Sequence, residues 1–187
     1  IKWRLASSFP KSLEGLWGAS PTLAKCVNEM SDGKFTIDPF AAGEIVPGLQ
    51  VLDAVANGTV ECGHSYGGYY IGKNSALIFD GSLPFGMTPR QQNAWYLYGD
   101  GKKLMDEVYD SMGVVSIPMG NTGGQTFGWF RREIKSPADF NGIKMRVAGF
   151  GGKVLSWEGV DVASGATDVL AAIENGKVVS KRERAAR

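Results

Sequence analysis

The chain has 187 residues, 43% apolar and 21% charged, with 26 glycines and 8 prolines, which excludes a disordered chain and suits a sizeable α/β core with tight connections. Its net charge of +1 hides an asymmetry, because Lys177 to Arg187 holds five basic side chains and one acid, leaving 15 basic and 18 acidic residues in the body. A mildly acidic body argues against a nucleic-acid-binding surface, which draws its affinity from cations on phosphates.

Residues 2 to 8 alternate as a strand that Pro10 stops, with Phe9 at its tip. From Leu13 the apolar residues Leu16, Trp17, Leu23, Ala24, Val27 and Met30 recur at helical spacing, with Pro21 as a kink or division. A strand over 34–40 follows. A helix begins near Pro47 and stops at Asn57-Gly58, and a strand over 59–64 comes directly after it. Thr88-Pro89-Arg90-Gln91 has the form of a capped helix start, and that helix runs to about Met112 with a break near Gly99-Asp100-Gly101. Val114 to Pro118 reads as a short strand buried on both faces of a parallel sheet.

The glycine-rich stretch 120–124 marks a crossing between two domains. Beyond it the pattern predicts a strand over 125–131, a short helix capped by Ser136-Pro137, a strand over 144–147, a helix over 152–158, a strand over 160–163 and a helix over 167–175. Strands alternating with helices predict a mainly parallel sheet with helices on both faces and ligands beyond the strand C-terminal ends. No apolar run is long enough to span a membrane. Ile1-Lys2-Trp3-Arg4 carries no signal-peptide pattern, so a signal peptide already removed is allowed. Cys26 and Cys62 are too few for a disulfide framework or a thiolate metal cluster and read as two buried free thiols.

Several motifs invite an enzyme. Gly63-His64-Ser65-Tyr66-Gly67 matches the G-x-S-x-G turn of α/β-hydrolases, but an esterase using Ser65 needs a later histidine and His64 is the only one. His64 reads instead as a hydrogen-bonded residue at a strand end. Gly149 to Lys153 lacks the first glycine and the final Ser or Thr of a phosphate loop, and keeps only a glycine-rich helix start that could face an anion or pack closely on a strand. The acid pairs Asp106-Glu107 and Glu133/Asp139 have no apolar surroundings and read as solvated surface.

Gly142-Ile-Lys-Met-Arg-Val-Ala-Gly149 is a short strand with Ile143, Met145 and Val147 on one face and Lys144 and Arg146 on the other. Arg146, near its C-terminal end, could hold a carboxylate through two charge-assisted bonds, although periodicity alone equally describes a surface arginine.

The segments Phe40-Ala-Ala-Gly-Glu-Ile-Val-Pro47, 52–61 (Leu-Asp-Ala-Val-Ala-Asn-Gly-Thr-Val-Glu), Pro84-Phe-Gly86, Gly120-Asn-Thr-Gly-Gly-Gln125, Gly128-Trp-Phe-Arg131 and Ile143-Lys-Met-Arg-Val147 resemble, in this order, the DctP-type solute-binding subunits of TRAP (tripartite ATP-independent periplasmic) transporters. The resemblance implies a type II periplasmic-binding-protein-like α/β fold of two lobes with mixed, mainly parallel sheets, the first over 1–122 and part of the second over 123–176. It implies no enzyme, but a periplasmic protein that captures a small organic carboxylate for the membrane permease subunits of a TRAP transporter. The stretch 120–131 is similar to the branch binding 2-oxo acids, lactate and related monocarboxylates. Residue by residue, the resemblance gives Arg146 the substrate carboxylate and Gln125 both the ligand and a bridging metal ion, sodium or calcium, with no cofactor required. Tyr69, chosen over Tyr70, is a cleft tyrosine, with core packing as the alternative, and Phe9 is either an apolar wall of the cleft or a staple onto the following helix.

After Gly176 that branch continues with a strand carrying a glutamate and a tryptophan of the ion site and pocket. This chain has Lys-Val-Val-Ser-Lys-Arg-Glu-Arg instead, with Arg182 at the glutamate position. The expectation is therefore a fold incomplete at its C-terminus, truncated after about residue 176, with 177–187 an aberrant basic tail. A homodimer is expected of the full-length form, and a fragment without binding activity is the alternative.

Overall fold

The computed structural model describes residues 1–81, 83–124, 128, 130–147, 151–152, 155 and 161–163, without the side chains of Arg146 and of 161–163. Its first sheet is built from β1 (Lys2–Ser7), β2 (Thr36–Phe40) and β3 (Cys62–His64), in the order β2-β1-β3 and parallel throughout. The register sets Ala6 opposite Phe40 on one side and Ser7 opposite His64 on the other, so the chain leaves all three strands at the same edge. Near the opposite edge Glu61 accepts from the Arg4 backbone N–H at 2.7 Å and from its guanidinium at 2.9 and 3.1 Å, which helps to fix that register.

Between β1 and β2 the helical segment divides into α1 (Glu14–Trp17) and α2 (Ala19–Met30). Pro21 sits in the first turn of α2, where a missing N–H is tolerated, and it leaves the Trp17 carbonyl without its usual donor four residues on. The division therefore falls a turn before the proline. On α2 Ser20 is buried and Ala24 and Val27, along the same stripe, are half-buried, as is Ala19 at the helix start, while Met30 is exposed. Cys26 lies off that stripe and is exposed, which corrects the expectation of a buried thiol; Cys62 on β3 is half-buried.

After β2 a 3₁₀ turn, Gly48–Gln50, leads into α3 (Val51–Ala56), which ends at Gly58 with a left-handed φ of +70°. This short helix joins two apolar clusters. Val51 and Ala54 pack with Ala6 and Val60 at the sheet, and Leu52 packs with Tyr70, Leu77, Tyr96, Met105 and Tyr109. The second cluster is closed by α4 (Pro89–Tyr98) and α5 (Gly101–Asp110). Thr88 and Gln91 form the expected reciprocal cap on α4, and a side chain at Gly101 would run into the ring of Trp95.

Residues 114–118 form no strand: Val115 is 80% and Ile117 81% exposed, because no described strand lies beside them to complete a buried parallel ladder. A second sheet pairs β4 (Lys144–Arg146) with β5 (Asp161–Ala163) in parallel. Ahead of β4, Ser136 and Asp139 cap a 3₁₀ turn over Pro137–Phe140. The elements expected over 125–131 and 167–175, and the tail 177–187, lie mostly or wholly outside the described residues.

Candidate ligand-binding site

The C-terminal edge of the first sheet brings together the loops that follow β1 and β3 and the turn that precedes α3. The Ser8 N–H donates to the His64 carbonyl at 2.8 Å, and the Phe9 N–H donates to Ser7 Oγ at 3.1 Å, which continues the strand pairing one step past the sheet. A chain of hydroxyls then ties these segments. Ser8 Oγ donates to the Gly48 carbonyl at 2.6 Å, so its single hydrogen is committed and the 2.6 Å contact with Ser65 is a donation from Ser65. Ser65 in turn accepts from the Tyr70 hydroxyl at 2.7 Å, and Tyr70 accepts from the Leu52 N–H at 3.3 Å. The approach of Gly48 to Ser8 is close enough that a Cβ there would lie 2.9 Å from the Ser8 carbonyl oxygen, so this turn requires glycine.

This arrangement removes the hydrolase reading. The proton of Ser65 points to Ser8, and Nδ1 of His64 is 2.8 Å from Ser20 Oγ on α2 rather than from Ser65. Burial pushes the His64 pKa down, as expected for a half-buried imidazole whose bonding partner is a neutral hydroxyl.

Phe9 is buried, with its ring edge-on to His64 at 4.9 Å between centroids and tilted against Tyr69 at 6.4 Å. Tyr69 is half-buried and stands perpendicular to Tyr66 and Tyr70 at 5.3 and 6.5 Å. Two of the four expected site residues, Phe9 and Tyr69, are thus brought together beyond the strand ends. The Tyr69 hydroxyl has no hydrogen-bond partner among the described residues, whereas that of Tyr70 is taken up in the hydroxyl chain. Arg146 ends β4, its backbone opposite Ala163, and Gln125 lies outside the described residues. The alternation expected around Arg146 is present, with Ile143, Met145 and Val147 half-buried and Lys144 exposed.

Behind this loop lies a half-buried polar cluster. Asp80 Oδ2 accepts from the Tyr109 hydroxyl at 2.8 Å, and a side chain at Gly67 would overlap both residues. Burial raises the Asp80 pKa, opposed by the donors Tyr109 and Gly67, while burial and the nearby Asp80 charge raise that of Tyr109. This cluster holds Gly67, within the turn that carries Tyr69. Among the described residues no group of three or more His, Cys, Asp and Glu could hold a metal ion, and the hydroxyls of Ser8, Ser65 and Tyr70 are committed to one another. The described part of the site therefore supplies no anionic ligand set for a cation.

The profile of the bacterial extracellular solute-binding proteins, family 7, matches residues 10–178. The chain belongs to this family. A relative, the monocarboxylate 2-oxoacid-binding periplasmic protein of Nostoc sp., is 53% identical over 162 residues, which are 87% of this chain and 44% of that protein. Among solved structures, a TRAP transporter solute-binding protein from Bordetella bronchiseptica with calcium and picolinate is 47% identical, with a TM-score of 0.87 over 95% of this chain and 53% of that one. Another from Pseudoalteromonas atlantica, with bound sodium and pyruvate, is 40% identical, with a TM-score of 0.86 over 95% of this chain and 54% of that one. The chain thus spans about half the length of these relatives.

Proposed function

We propose that this chain forms part of a periplasmic protein that captures a small monocarboxylate, a 2-oxo acid such as pyruvate, and delivers it to the permease subunits of a TRAP transporter. The observation that carries this reading is the 53% identity to a 2-oxoacid-binding relative. It is supported by the pairing of Phe9 with Tyr69 beyond the C-terminal ends of a parallel sheet, where such folds receive their ligands. In this reading residues 1–122 form one lobe and 123–176 part of the other. Arg146, at the end of β4, clamps the carboxylate with a bidentate pair, Tyr69 donates its uncommitted hydroxyl, and Phe9 is an apolar wall.

Calcium or sodium accompanies the ligand in the relatives from Bordetella and Pseudoalteromonas. In this chain such an ion would engage Gln125 and the ligand's own oxygens. The Bordetella relative is described as a dimer, and a homodimer belongs to the same proposal for the whole protein. A melting-temperature panel of pyruvate, longer 2-oxo acids, lactate and dicarboxylates, each with and without sodium or calcium, tests the reading. Pyruvate is expected to raise the midpoint as its concentration passes its dissociation constant; no shift with any of these acids contradicts it.

A further inference from the structure

The carboxylate-capture reading leaves the Ser20–His64 pair unused. Ser20 is completely buried in the first turn of α2, and among the described residues the one hydrogen bond of its hydroxyl is the 2.8 Å contact with Nδ1 of His64. Of the two ways to share a proton there, donation by Nδ1 would leave the Ser20 hydrogen without an acceptor in the interior, whereas donation by Ser20 satisfies both groups. Nδ1 therefore accepts, and the ring proton of neutral His64 lies on Nε2. Nε2 has no partner among the described residues and is not sealed from solvent. The same ring rests against Phe9, which rests against Tyr69. An uncommitted donor of fixed tautomer thus stands at the sheet edge where the neighbouring hydroxyls of Ser8, Ser65 and Tyr70 have no proton to spare.

We propose that His64, held as its Nε2–H tautomer by Ser20, is a further ligand-binding residue that donates to an acceptor oxygen of the small carboxylate. The proposal rests on the carboxylate-capture reading and adds a basis for selectivity. A neutral N–H accepts a carbonyl or carboxylate oxygen and opposes an ammonium group, so a 2-oxo acid fits where the corresponding 2-amino acid does not.

Because His64 is the only histidine in the chain, nitrogen-15 NMR of the imidazole reads its tautomer directly. The expected spectrum is that of the Nε2–H form, with Ser20→Ala converting it to a mixture of tautomers. Pyruvate is expected to move the Nε2 signal, and alanine at the same concentration is not. By calorimetry His64→Gln, which keeps an N–H near Nε2, should hold pyruvate affinity within about threefold, whereas His64→Phe should lose about tenfold. An Nδ1–H spectrum, an Nε2 signal unmoved by bound pyruvate, or His64→Phe binding pyruvate like the parent overturns the inference alone. A parent that binds none of the small carboxylates overturns the capture reading and this inference with it. If His64→Phe does not fold, the parent spectra and His64→Gln decide.

Discussion

Among the described groups that titrate between acidic and neutral pH, His64 and Asp80 are the two whose shift is caused first by burial, and each gives the protein a definite pH response. The His64 pKa is lowered, so below the ordinary value of 6.5 the unfolded chain takes up a proton that the folded ring refuses. Stability is therefore lost as the pH falls from about 6.5 through the folded value. Melting temperatures between pH 7.5 and 5.5 should drop more steeply for the parent than for His64→Gln; parallel curves would contradict the assignment. For Asp80 the sign is opposite. Its raised pKa means that the folded state keeps a proton that the unfolded chain releases above 3.8, so this carboxyl costs stability as the pH rises through that window. Asp80→Asn removes the buried charge while keeping an acceptor for Tyr109, and should hold or raise stability at pH 7 in urea denaturation. Tyr109→Phe instead leaves a half-buried carboxylate short of a donor and should cost about 1–3 kcal/mol.

At the scale of elements, α4 is the clearest test of a local signal. Its reciprocal cap satisfies helix N–H groups through side chains only three residues apart, and Thr88→Ala should lower stability by about 1 kcal/mol in the same denaturation measurement. Such features are legible from sequence because both partners sit within one turn: the α4 cap, the Ser136 cap and the stop at Gly58 were all readable. The apolar run 114–118 reads as a strand yet forms none, because a strand buried on both faces needs flanking neighbours, and neighbours are not written in the run. The burial of Cys26 failed for a related reason, since an average tendency of cysteine says nothing about which helical stripe faces the sheet. The candidate site divides the same way. Phe9 could be placed by its position at a strand tip and Tyr69 by the family resemblance, but the hydroxyl chain joins Ser8 to Ser65 across 57 residues and a half-buried pair joins Asp80 to Tyr109 across 29, spacings that carry no local pattern.

For the whole molecule, the family was legible because several short blocks occur in the right order, a property that no single element carries. The parallel sheet places the Phe9–Tyr69 pair on the edge where ligands enter α/β folds, and the 2-oxoacid-binding relative supports a small carboxylate as the occupant. The central claim is that Arg146 clamps that carboxylate, and calorimetric titration of pyruvate into the parent and Arg146→Ala, with calcium or sodium present, tests it most directly. Removing one partner of a buried ion pair costs about 3–5 kcal/mol, so the variant should lose at least about a hundredfold in affinity while the parent binds. Equal affinity in the two proteins would contradict the account.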